Sequence, residues 1–278
     1  MLKARPLFIL FFLLTFSFAK ADVKLSVLFQ SNMVLQRDKP CNIWGTADKG
    51  SAITISFNNN NYTATAANGK WKITLPAQAA GGPYQIIIKG KDTIELDNVL
   101  FGDVWICGGQ SNMQFSTKEA SPKPDTSAFN NNNIRLFTVG VGMDYTPQDT
   151  LKSGAWKIAS VKDVNNFTAV GFFFGSYLQQ HLNVPIGLIS DNLGATAVEE
   201  WMSNEAIHQF PQFDFYYNTY LAPHKSMKQM NDDFEKTKSS WNKNYYLKND
   251  PGLTQQWYKP ETDISDWKTM NQPSHWED

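Results

Sequence analysis

Apolar and polar residues alternate along the chain between residues 22 and 98. The alternation is clear at 53–57, and again at 71–75 after the turn signal Asn68-Gly69, and a further strand pattern lies at 84–89. A period of two places every second side chain on one face of a strand, and Asn-Gly favours a tight hairpin turn. Short strands at this spacing predict a small N-terminal β-sandwich.

From residue 99 onward, continuous apolar runs replace the alternation. The run at 104–107 predicts a strand covered on both faces, and further strands are predicted at 134–139 and 186–190. Apolar residues at 170–182 follow helical spacing. Strand, helix and strand in this rhythm predict an α/β fold with a doubly wound parallel sheet, whose ligands bind at the carboxyl ends of the strands.

The last part of the chain predicts helix first and strand later. Residues 226–243 are polar and predicted to be helical in part. Residues 233–278 carry tryptophans among turn-forming residues, which predicts the start of a second β module. The α/β part, residues 99–232, has few strands, and the new module has no partner strands to close it. We therefore expect the sequence to be truncated. The tryptophans that lie among turn-forming residues are Trp257, Trp267 and Trp276.

Composition excludes several classes of function. The 278 residues carry a formal net charge of -1 without any basic run, which argues against nucleic acid as a partner. Aromatic residues make up 14% of the chain, which a β-rich core explains more simply than sugar stacking does. Cys41 and Cys107 fall in different predicted domains and are expected to stay unpaired. With 4 His and no metal-ligand spacing, the sequence predicts no metal and no cofactor.

The first 21 residues have the pattern of a signal peptide. Lys3 and Arg5 give a positive start, residues 7–18 are apolar, and Ala19-Lys20-Ala21 is a small-x-small cleavage site. No later segment is long and apolar enough to span a membrane. We expect an exported protein, periplasmic or extracellular, whose mature chain begins at Asp22.

One stretch carries the clearest chemistry, Phe101-Gly-Asp-Val-Trp-Ile-Cys-Gly-Gly-Gln-Ser-Asn-Met113. It predicts a strand that runs into a glycine-rich turn with one hydroxyl, Ser111. Glycines let the backbone bend sharply, and a serine at such a strand end is suited to be an activated nucleophile. The alternative is a serine that caps a helix. The polar neighbours Gln110 and Asn112 indicate that the turn faces solvent or substrate.

This stretch resembles the nucleophile block of the sialate O-acetylesterase family, which belongs to the SGNH-type hydrolases. The resemblance rests on Gly109-Gln-Ser-Asn-Met113, preceded by Gly102-Asp-Val-Trp105. Other stretches resemble further parts of the family in the same order. They are Leu28–Arg37 with Trp44-Gly45 in the N-terminal β domain, Gly194–Trp201 in the second block, and Asp266–Met270 through His275-Trp276 at the start of an inserted sugar-binding-type β module.

The resemblance implies an exported carbohydrate O-acetylesterase. Ser111 would attack the acetyl group of an O-acetylated sugar, such as sialic acid or a plant or host glycan. The N–H groups of Ser111 and Gly194 would stabilise the oxyanion, and Gln110, Asn112 and Glu199 would contact substrate. The family has two adjacent glycines where this chain has Gly194-Ala195. Glu199 matches the family's glutamate, with a helix-start acid facing the dipole as the alternative.

The family's general base comes from an Asp-x-x-His motif, which is absent from this sequence, as is the family's third oxyanion block. His181 is predicted to cap a helix, His224 and His275 lie in irregular or partial segments, and Glu205 with His208 resembles an acid–base pair only by spacing. We therefore expect an incomplete enzyme with little activity. The alternatives are a non-catalytic glycan-binding fragment and a related hydrolase of different acyl preference.

A second copy of the motif serves as an internal control. Gln30-Ser-Asn-Met33 repeats four letters of the nucleophile block, but no glycine precedes Ser31. Ser31 also lies in the predicted β-sandwich. We predict a structural role for Ser31 and a position well away from Ser111.

Overall fold

The computed structural model of the chain describes residues 23–142, 144, 146–271 and 273. It divides into two compact units, Met1–Trp201 and Met202–Asp278, called here the first and second units. The predicted signal peptide, 1–21, and its cleavage point lie outside the described residues. Among the described residues, no helix is both long and apolar enough to cross a membrane.

The first unit is rich in strands. In chain order they are β1 (Lys24–Leu25), β2 (Val34–Gln36), β3 (Cys41–Thr46), β4 (Ala52–Phe57), β5 (Asn60–Thr65), β6 (Lys70–Leu75), β7 (Gly81–Lys89), β8 (Thr93–Gly109), β9 (Asn131–Thr138), β10 (Trp156–Ala159) and β11 (Ile186–Asn192). Its α-helices are α1 (Ser111–Gln114), α2 (Val161–Asn165) and α3 (Ala169–Leu182), with 3₁₀ turns at Thr117–Glu119 and Val198–Trp201. Strand and helix thus occur where the sequence pattern predicted them.

These strands form two sheets. One sheet has three antiparallel strands in the order β1-β3-β6. The other has eight strands, with the order β10-β9-β11-β8-β7-β4-β5 and β2 paired to β8. Every second residue of β4 and of β6 is buried, as the alternation predicts. Buried side chains of β3, β4, β6 and β7 form one apolar cluster, which also includes Phe101 of β8 and Phe137 of β9.

The long strand β8 connects the N-terminal β region to the α/β region. Its first part pairs with β7, its middle pairs in parallel with β2, and Asp103–Gly109 pairs in parallel with β11. The sequence placed a domain boundary between residues 98 and 99, and β8 runs continuously across that position. The last residues of β8 are therefore held by hydrogen bonds on a strand that is anchored in the first apolar cluster.

The α/β part contains three parallel strands with helix α3 packed on them. Strand β11 lies between β8 and β9 and is parallel to both, while β10 is antiparallel at the edge. A second apolar cluster includes Cys107, Leu188 and Phe172. A Cβ atom added at Gly171 would lie 2.8 Å from the Cys107 Sγ atom. Glycine at this position therefore allows α3 to approach the sheet closely.

The expectation that 104–107 would be covered on both faces is wrong. Cys107 is buried, but Trp105 is 43% exposed and Ile106 is 72% exposed. Trp105 makes an edge contact with Phe174 of α3. In this part of β8, the described residues pair only with β11, and the face of the strand that carries Ile106 is left uncovered.

The second unit is helical. Its α-helices are α4 (Asn204–Ile207), α5 (Asp214–Tyr216), α6 (Met227–Trp241), α7 (Leu247–Asn249) and α8 (Pro251–Thr254). A 3₁₀ turn lies at Pro211–Phe213, and π-helical turns lie at Tyr217–Leu221 and Asn242–Tyr246. The prediction of partial helix at 226–243 is thus confirmed. A capping box between Ser226 and Gln229 starts α6.

The β module predicted from residue 233 does not take strand form in the described residues of the second unit. Helix α6 continues through Trp241, and the segment 255–271 consists of turns and irregular chain. Trp257 and Trp267 contact each other at 5.4 Å between ring centroids, but no strand forms beside them. A lone strand has no hydrogen-bonding partner, so interactions between residues close in sequence determine the backbone conformation of this part of the chain. His275 and Trp276 lie outside the described residues.

Candidate active site

Ser111 is the first residue of α1, and β8 ends two residues before it. Gln110 occupies the N-cap position and Ser111 is exposed. Strands β8 and β11 end side by side, because Gly109 pairs with Asn192 in the parallel register. The segment that carries Gly194 follows directly after β11. The register of these two strands therefore brings Ser111 and Gly194 to the same edge of the sheet.

The turn before Ser111 requires glycine. Gly109 has φ = 147°, a backbone conformation that L-residues rarely adopt. An added Cβ atom there would also lie 3.3 Å from the Cβ atom of Met113. The backbone can therefore turn from strand to helix within one residue only because position 109 has no side chain.

Met113 anchors the short helix α1 to the core. Its Sδ atom accepts a hydrogen bond from the Thr168 hydroxyl at 3.4 Å, and its side chain packs on the second apolar cluster. The Ala169 N–H donates to the Phe115 carbonyl at 2.9 Å, which ties the end of α1 to the start of α3. Four helical residues would be unstable alone, so these contacts fix the position of Ser111.

Gly194 lies against the helix that carries Ser111. A Cβ atom added at Gly194 would lie 3.6 Å from both the Cα and Cβ atoms of Ser111. The Leu193 N–H donates to the Gly109 carbonyl at 3.1 Å, and the Gly194 N–H donates to the Oε1 atom of Gln114 at 2.8 Å. The segment after β11 is thus hydrogen-bonded to both sides of the turn.

The hydroxyl of Ser111 is held by Gln110. Ser111 Oγ donates to Gln110 Oε1 at 3.1 Å, and Gln110 Nε2 donates to the Thr196 carbonyl at 3.3 Å. A glutamine amide does not take up a proton at neutral pH, so Gln110 orients the hydroxyl without activating it. Asn112 is exposed and its side chain makes no hydrogen bond to the described residues.

The two glutamates of the Gly194 segment differ in role. Glu200 Oε1 accepts a hydrogen bond from the Ala197 N–H at 3.0 Å, so Glu200 caps the 3₁₀ turn. Glu199 is half-buried and makes no hydrogen bond or ion pair with the described residues. Both glutamates lie in the first turn of this 3₁₀ helix, so the alternative for Glu199, an acid at a helix start facing the dipole, agrees with its position.

A cavity of about 400 Å³ lies beside the turn. Among the described residues, its lining includes neither Ser111 nor Gly194, but it does include Gln110, next to Ser111, and residues of the segment that follows Gly194. The lining residues are Gly108, Gly109, Gln110, Thr196, Ala197, Val198 and Trp201. Gln110 is thus the predicted substrate-contacting residue that reaches both the cavity and the Ser111 hydroxyl.

No histidine of the first unit lies near Ser111. His181, the single histidine in that unit, is near the end of α3 and contacts the Tyr177 carbonyl through Nδ1 at 2.8 Å. The other end of α3 contacts Phe115, and 14 helical residues at about 1.5 Å each span roughly 20 Å. His181 therefore has a structural role within its own helix, as predicted, and cannot act as the base for Ser111.

The remaining described histidines belong to the second unit. His208 contacts the Tyr217 ring at 3.8 Å between centroids. The pKa of the exposed Glu205 is lowered, first by its own backbone N–H, next by the Ser203 hydroxyl and least by His208. The spacing of Glu205 and His208 thus reflects a solvated helix end more than a tuned acid–base pair. His224 is exposed in a turn with φ = 50°.

Neither cysteine offers an alternative nucleophile. Cys41 and Cys107 are both buried, and they are not paired with each other, as the sequence predicted. Burial raises the pKa of the Cys107 thiol to about 11, so this thiol is protonated at neutral pH. Among the described residues, no cluster of three or more histidine, cysteine or acidic side chains could hold a metal ion.

Comparison with known proteins gives a consistent result, although no family model matches the chain. Sialate O-acetylesterases from Mus musculus and Rattus norvegicus are 30% identical over 199 residues and 32% identical over 204 residues. The crystal structure of a carbohydrate acetylesterase from Xanthomonas citri is 38% identical, with a TM-score of 0.65, and covers 67% of this chain and 44% of that chain.

Over the matched part, this chain is similar to sialate O-acetylesterases and to a carbohydrate acetylesterase. The match covers 63% of this chain and only 36% of each rodent relative, so the chain spans little more than a third of their length. The resemblance that the motifs indicated is thus confirmed at the level of the family.

The block Leu28–Arg37 lies far from Ser111 in the sequence but contacts the strand that leads to the Ser111 turn. Strand β2 within this block pairs with Leu100–Gly102 of β8. Arg37 then forms a bidentate ion pair with Asp103, with Nε to Oδ1 at 2.8 Å and Nη2 to Oδ2 at 3.3 Å. The Arg37 hydrogen bond is the main cause of the lowered pKa of Asp103.

The sequence did not predict the ion pair between Arg37 and Asp103. Arg37 and Asp103 both stood within recognised motifs, but spacing gave no sign that they would meet. The pair holds the strand that ends at the nucleophile turn.

The first copy of the motif has a structural role. Ser31 Oγ accepts a hydrogen bond from the Asp97 N–H at 2.9 Å. Asn32 Oδ1 accepts from Asn98 Nδ2 at 2.8 Å and from the buried Arg135 at 3.4 Å. Asp97 is near the start of β8, whereas Ser111 follows its end. At about 3.3 Å per residue, some 40 Å of strand separates the two serines.

Proposed function

We propose that this chain carries the nucleophile of an exported carbohydrate O-acetylesterase, with Ser111 as the attacking residue. The observation that carries the proposal is the position of Ser111, which is exposed at the start of α1 and in contact range of Gly194. The named activities of the relatives support an ester of a carbohydrate as substrate. Acetylated sialic acid or another O-acetylated glycan fits this chemistry.

In the proposed reaction, Ser111 Oγ attacks the acetyl carbonyl carbon while its proton passes to a general base. The carbonyl oxygen becomes an oxyanion, which the N–H groups of Ser111 and Gly194 stabilise, each typically by about 3 kcal/mol of the barrier. Collapse breaks the bond between the acetyl carbon and the sugar oxygen, which takes a proton. Water then hydrolyses the acetyl-serine and releases acetate.

Substrate contacts are assigned to three residues around the turn. Gln110 borders the cavity beside Ser111, Asn112 has a free side chain in solvent, and Glu199 is half-buried without a partner among the described residues. Each side chain has donor hydrogens or acceptor lone pairs that make no hydrogen bond within the described residues. Sugar hydroxyls would bind to these groups.

The general base is the unassigned part of the mechanism. His181 is held at the far end of α3. A serine without its base is a weak nucleophile at neutral pH, and loss of one member of a triad typically lowers the rate by several powers of ten. We therefore expect slow turnover by the chain of 278 residues.

The proposal extends to the fold of the first unit. We interpret the two sheets around the first apolar cluster as an N-terminal β-sandwich. We interpret β8, β9 and β11 with α3 as part of an SGNH-type doubly wound sheet. The domain limits 22–98, 99–232 and 233–278 remain predictions.

The test is hydrolysis of a chromogenic acetyl ester and of an O-acetylated sialic acid by wild type, Ser111→Ala and Ser31→Ala. Ser31 is the matched control, because it lies in the same four-residue sequence, Gln-Ser-Asn-Met, but is hydrogen-bonded to Asp97. We expect Ser111→Ala to reduce the turnover to background and Ser31→Ala to keep it. Turnover that survives Ser111→Ala would refute the proposal. Rapid wild-type turnover would place a base within this chain, with His208 and Glu205 tested first.

A glycan-binding role is the second candidate, favoured by one aromatic cluster in the second unit. Trp241 stacks on Tyr246 at 5.5 Å and lies 6.0 Å from Tyr245, and all three side chains are largely exposed. Exposed aromatic faces suit stacking on sugar rings. Binding of an O-acetylated glycan that persists in Ser111→Ala and is lost in Trp241→Ala would favour this role.

A further inference from the structure

The proposed oxyanion donor Gly194 N–H already has an acceptor. Gln114 Oε1 accepts its hydrogen bond at 2.8 Å. A backbone N–H can only donate, so the amide atom that faces it must be the carbonyl oxygen. A single hydrogen makes one well-aligned bond, and an acyl oxyanion would therefore compete with Gln114 for it.

The amide of Gln114 lies on the side of Gly194 that faces the nucleophile. A Cβ atom added at Gly194 would come within 2.7 Å of Gln114 Oε1 and 3.6 Å of the Ser111 Cα atom. The space next to the Gly194 N–H is thus shared by the Gln114 side chain and the backbone of Ser111.

The Gln114 side chain can leave without moving the nucleophile. Met113 fixes α1 through Thr168 and the second apolar cluster. Gln114 itself is exposed, and within the described part of the chain its side chain makes no hydrogen bond other than that to Gly194. Rotation of an exposed side chain takes picoseconds to nanoseconds, far less than a catalytic cycle.

We propose that Gln114 is a positioning residue that caps the Gly194 N–H in the free protein and yields it to the acyl oxyanion. This inference rests on the proposed function. A neutral ester carbonyl is a weaker hydrogen-bond acceptor than the Gln114 amide and gains nothing by replacing it. A charged acceptor makes a bond roughly twice as strong and displaces the amide. The cap therefore directs this donor to the transition state rather than to bound substrate.

The cap itself is tested without any activity measurement. Amide hydrogen exchange at Gly194 is measured by NMR in wild type, Gln114→Ala and Gln148→Ala. Gln148 is an exposed glutamine whose side chain contacts only Thr146, which makes it a matched control. We expect exchange at Gly194 to become at least about tenfold faster in Gln114→Ala and to stay unchanged in Gln148→Ala. Unchanged exchange in a folded Gln114→Ala variant overturns the proposal.

The displacement step is tested with Gln114→Glu. An ionised carboxylate would hold the Gly194 N–H more tightly and repel the oxyanion, whereas the protonated acid resembles glutamine. The ratio of kcat/KM between Gln114→Glu and wild type should therefore fall about tenfold or more as pH rises through the carboxyl pKa, near 4.3 in peptides. The Gln114→Ala variant should keep kcat/KM or raise it up to about threefold. The proposal is overturned if kcat/KM falls in Gln114→Ala while the ratio of kcat/KM between Gln114→Glu and wild type does not change with pH. That result would show that the hydrogen bond between Gln114 and Gly194 has only a structural role.

Failure of the proposed function gives a different pattern. If Ser111→Ala keeps the activity, Ser111 is not the nucleophile, and the displacement step falls with it. The hydrogen-exchange result then still decides whether Gln114 caps Gly194. If Ser111→Ala abolishes activity but Gln114→Ala leaves the hydrogen-exchange rate at Gly194 unchanged, the proposed function stands and the proposed cap is wrong.

Discussion

The two units of this protein use aromatic residues in different ways. In the first unit, aromatic rings from segments distant in the chain meet, as in the pairs Phe57 with Phe101 and Phe129 with Phe172. In the second unit most aromatic contacts join near neighbours in the chain, such as Trp241 with Tyr245. Apart from Leu221, whose side chain is not described, none of the described residues of the second unit is buried. A high aromatic content therefore indicates a packed core only where distant segments meet.

The physical basis of the difference is the range of the stabilising interactions. The second unit has a capping box at Ser226 and ion pairs within one helix turn, such as Lys228 with Asp232. Such local interactions are each worth only a few tenths of a kcal/mol to about 1 kcal/mol. The first unit buries whole phenylalanine side chains. We therefore expect the first unit to be far more stable, and the following predictions test this comparison.

The largest expected effect comes from a matched pair of Phe→Ala substitutions. Phe101 is fully buried against Phe57 and Tyr84, whereas Phe234 of α6 is 60% exposed. Phe101→Ala should lower the free energy of unfolding by about 3–5 kcal/mol, and Phe234→Ala by less than about 0.5 kcal/mol. Urea unfolding followed by tryptophan fluorescence measures both. Equal losses would contradict the contrast between the units.

Limited proteolysis should separate the units directly. Segments that bury little apolar surface open at low free-energy cost, so cleavage should begin within 202–273 and at least about 100-fold faster than within 23–201. Mass spectrometry of the first fragments locates the cuts. Early cuts in β4 or β8, or uniform resistance along the whole chain, would show that the second unit is as well packed as the first.

A smaller effect is expected at the ion pair below the nucleophile turn. Because the folded-state pKa of Asp103 is lowered, chiefly by the Arg37 hydrogen bond, its stabilising contribution is present above the unfolded pKa and is lost as pH falls through the folded pKa. Asp103→Asn should cost about 1–2 kcal/mol at pH 7. The difference from wild type should begin to shrink below about pH 4, the unfolded pKa of aspartate, and disappear only below the lowered folded-state pKa.

The control for this prediction is Asp232→Asn in the second unit. Asp232 pairs with Lys228 at 2.6 Å, but both side chains are mostly exposed. Exposed pairs contribute little to stability. A cost at Asp232 as large as that at Asp103, or a cost at Asp103 that does not vary with pH, would mean that burial of the pair is not what matters.

The smallest effect is expected at Ala195. This residue has φ = 61°, which is unfavourable for a residue with a Cβ atom and free of cost for glycine. Ala195→Gly should raise the free energy of unfolding by about 0.5 kcal/mol, after allowance for the greater freedom of glycine in the unfolded chain. Ala222→Gly, at a helical position in the second unit, is the control and should give no gain. A loss at Ala195 would show that another contact holds this segment.

Much of the architecture followed from local sequence pattern. The strands at 52–57, 70–75 and 186–190 and the helix at 170–182 occur where period two or helical spacing predicted them. The error at Ile106 has a different origin. A continuous apolar run does not reveal whether both faces of a strand are covered, and here the face that carries Ile106 is open to solvent.

The candidate site was predictable in its residues and not in its arrangement. The sequence by itself determined a serine after a strand and a glycine-rich turn, because the conformational freedom of Gly109 and the local chain direction are properties of adjacent residues. Only the tertiary structure decided that Gln114, 80 residues away in sequence, accepts the hydrogen bond of Gly194. It also decided that Arg37 meets Asp103. Both contacts depend on the register of strands that are distant in the chain, and side-chain spacing along the sequence does not encode that register.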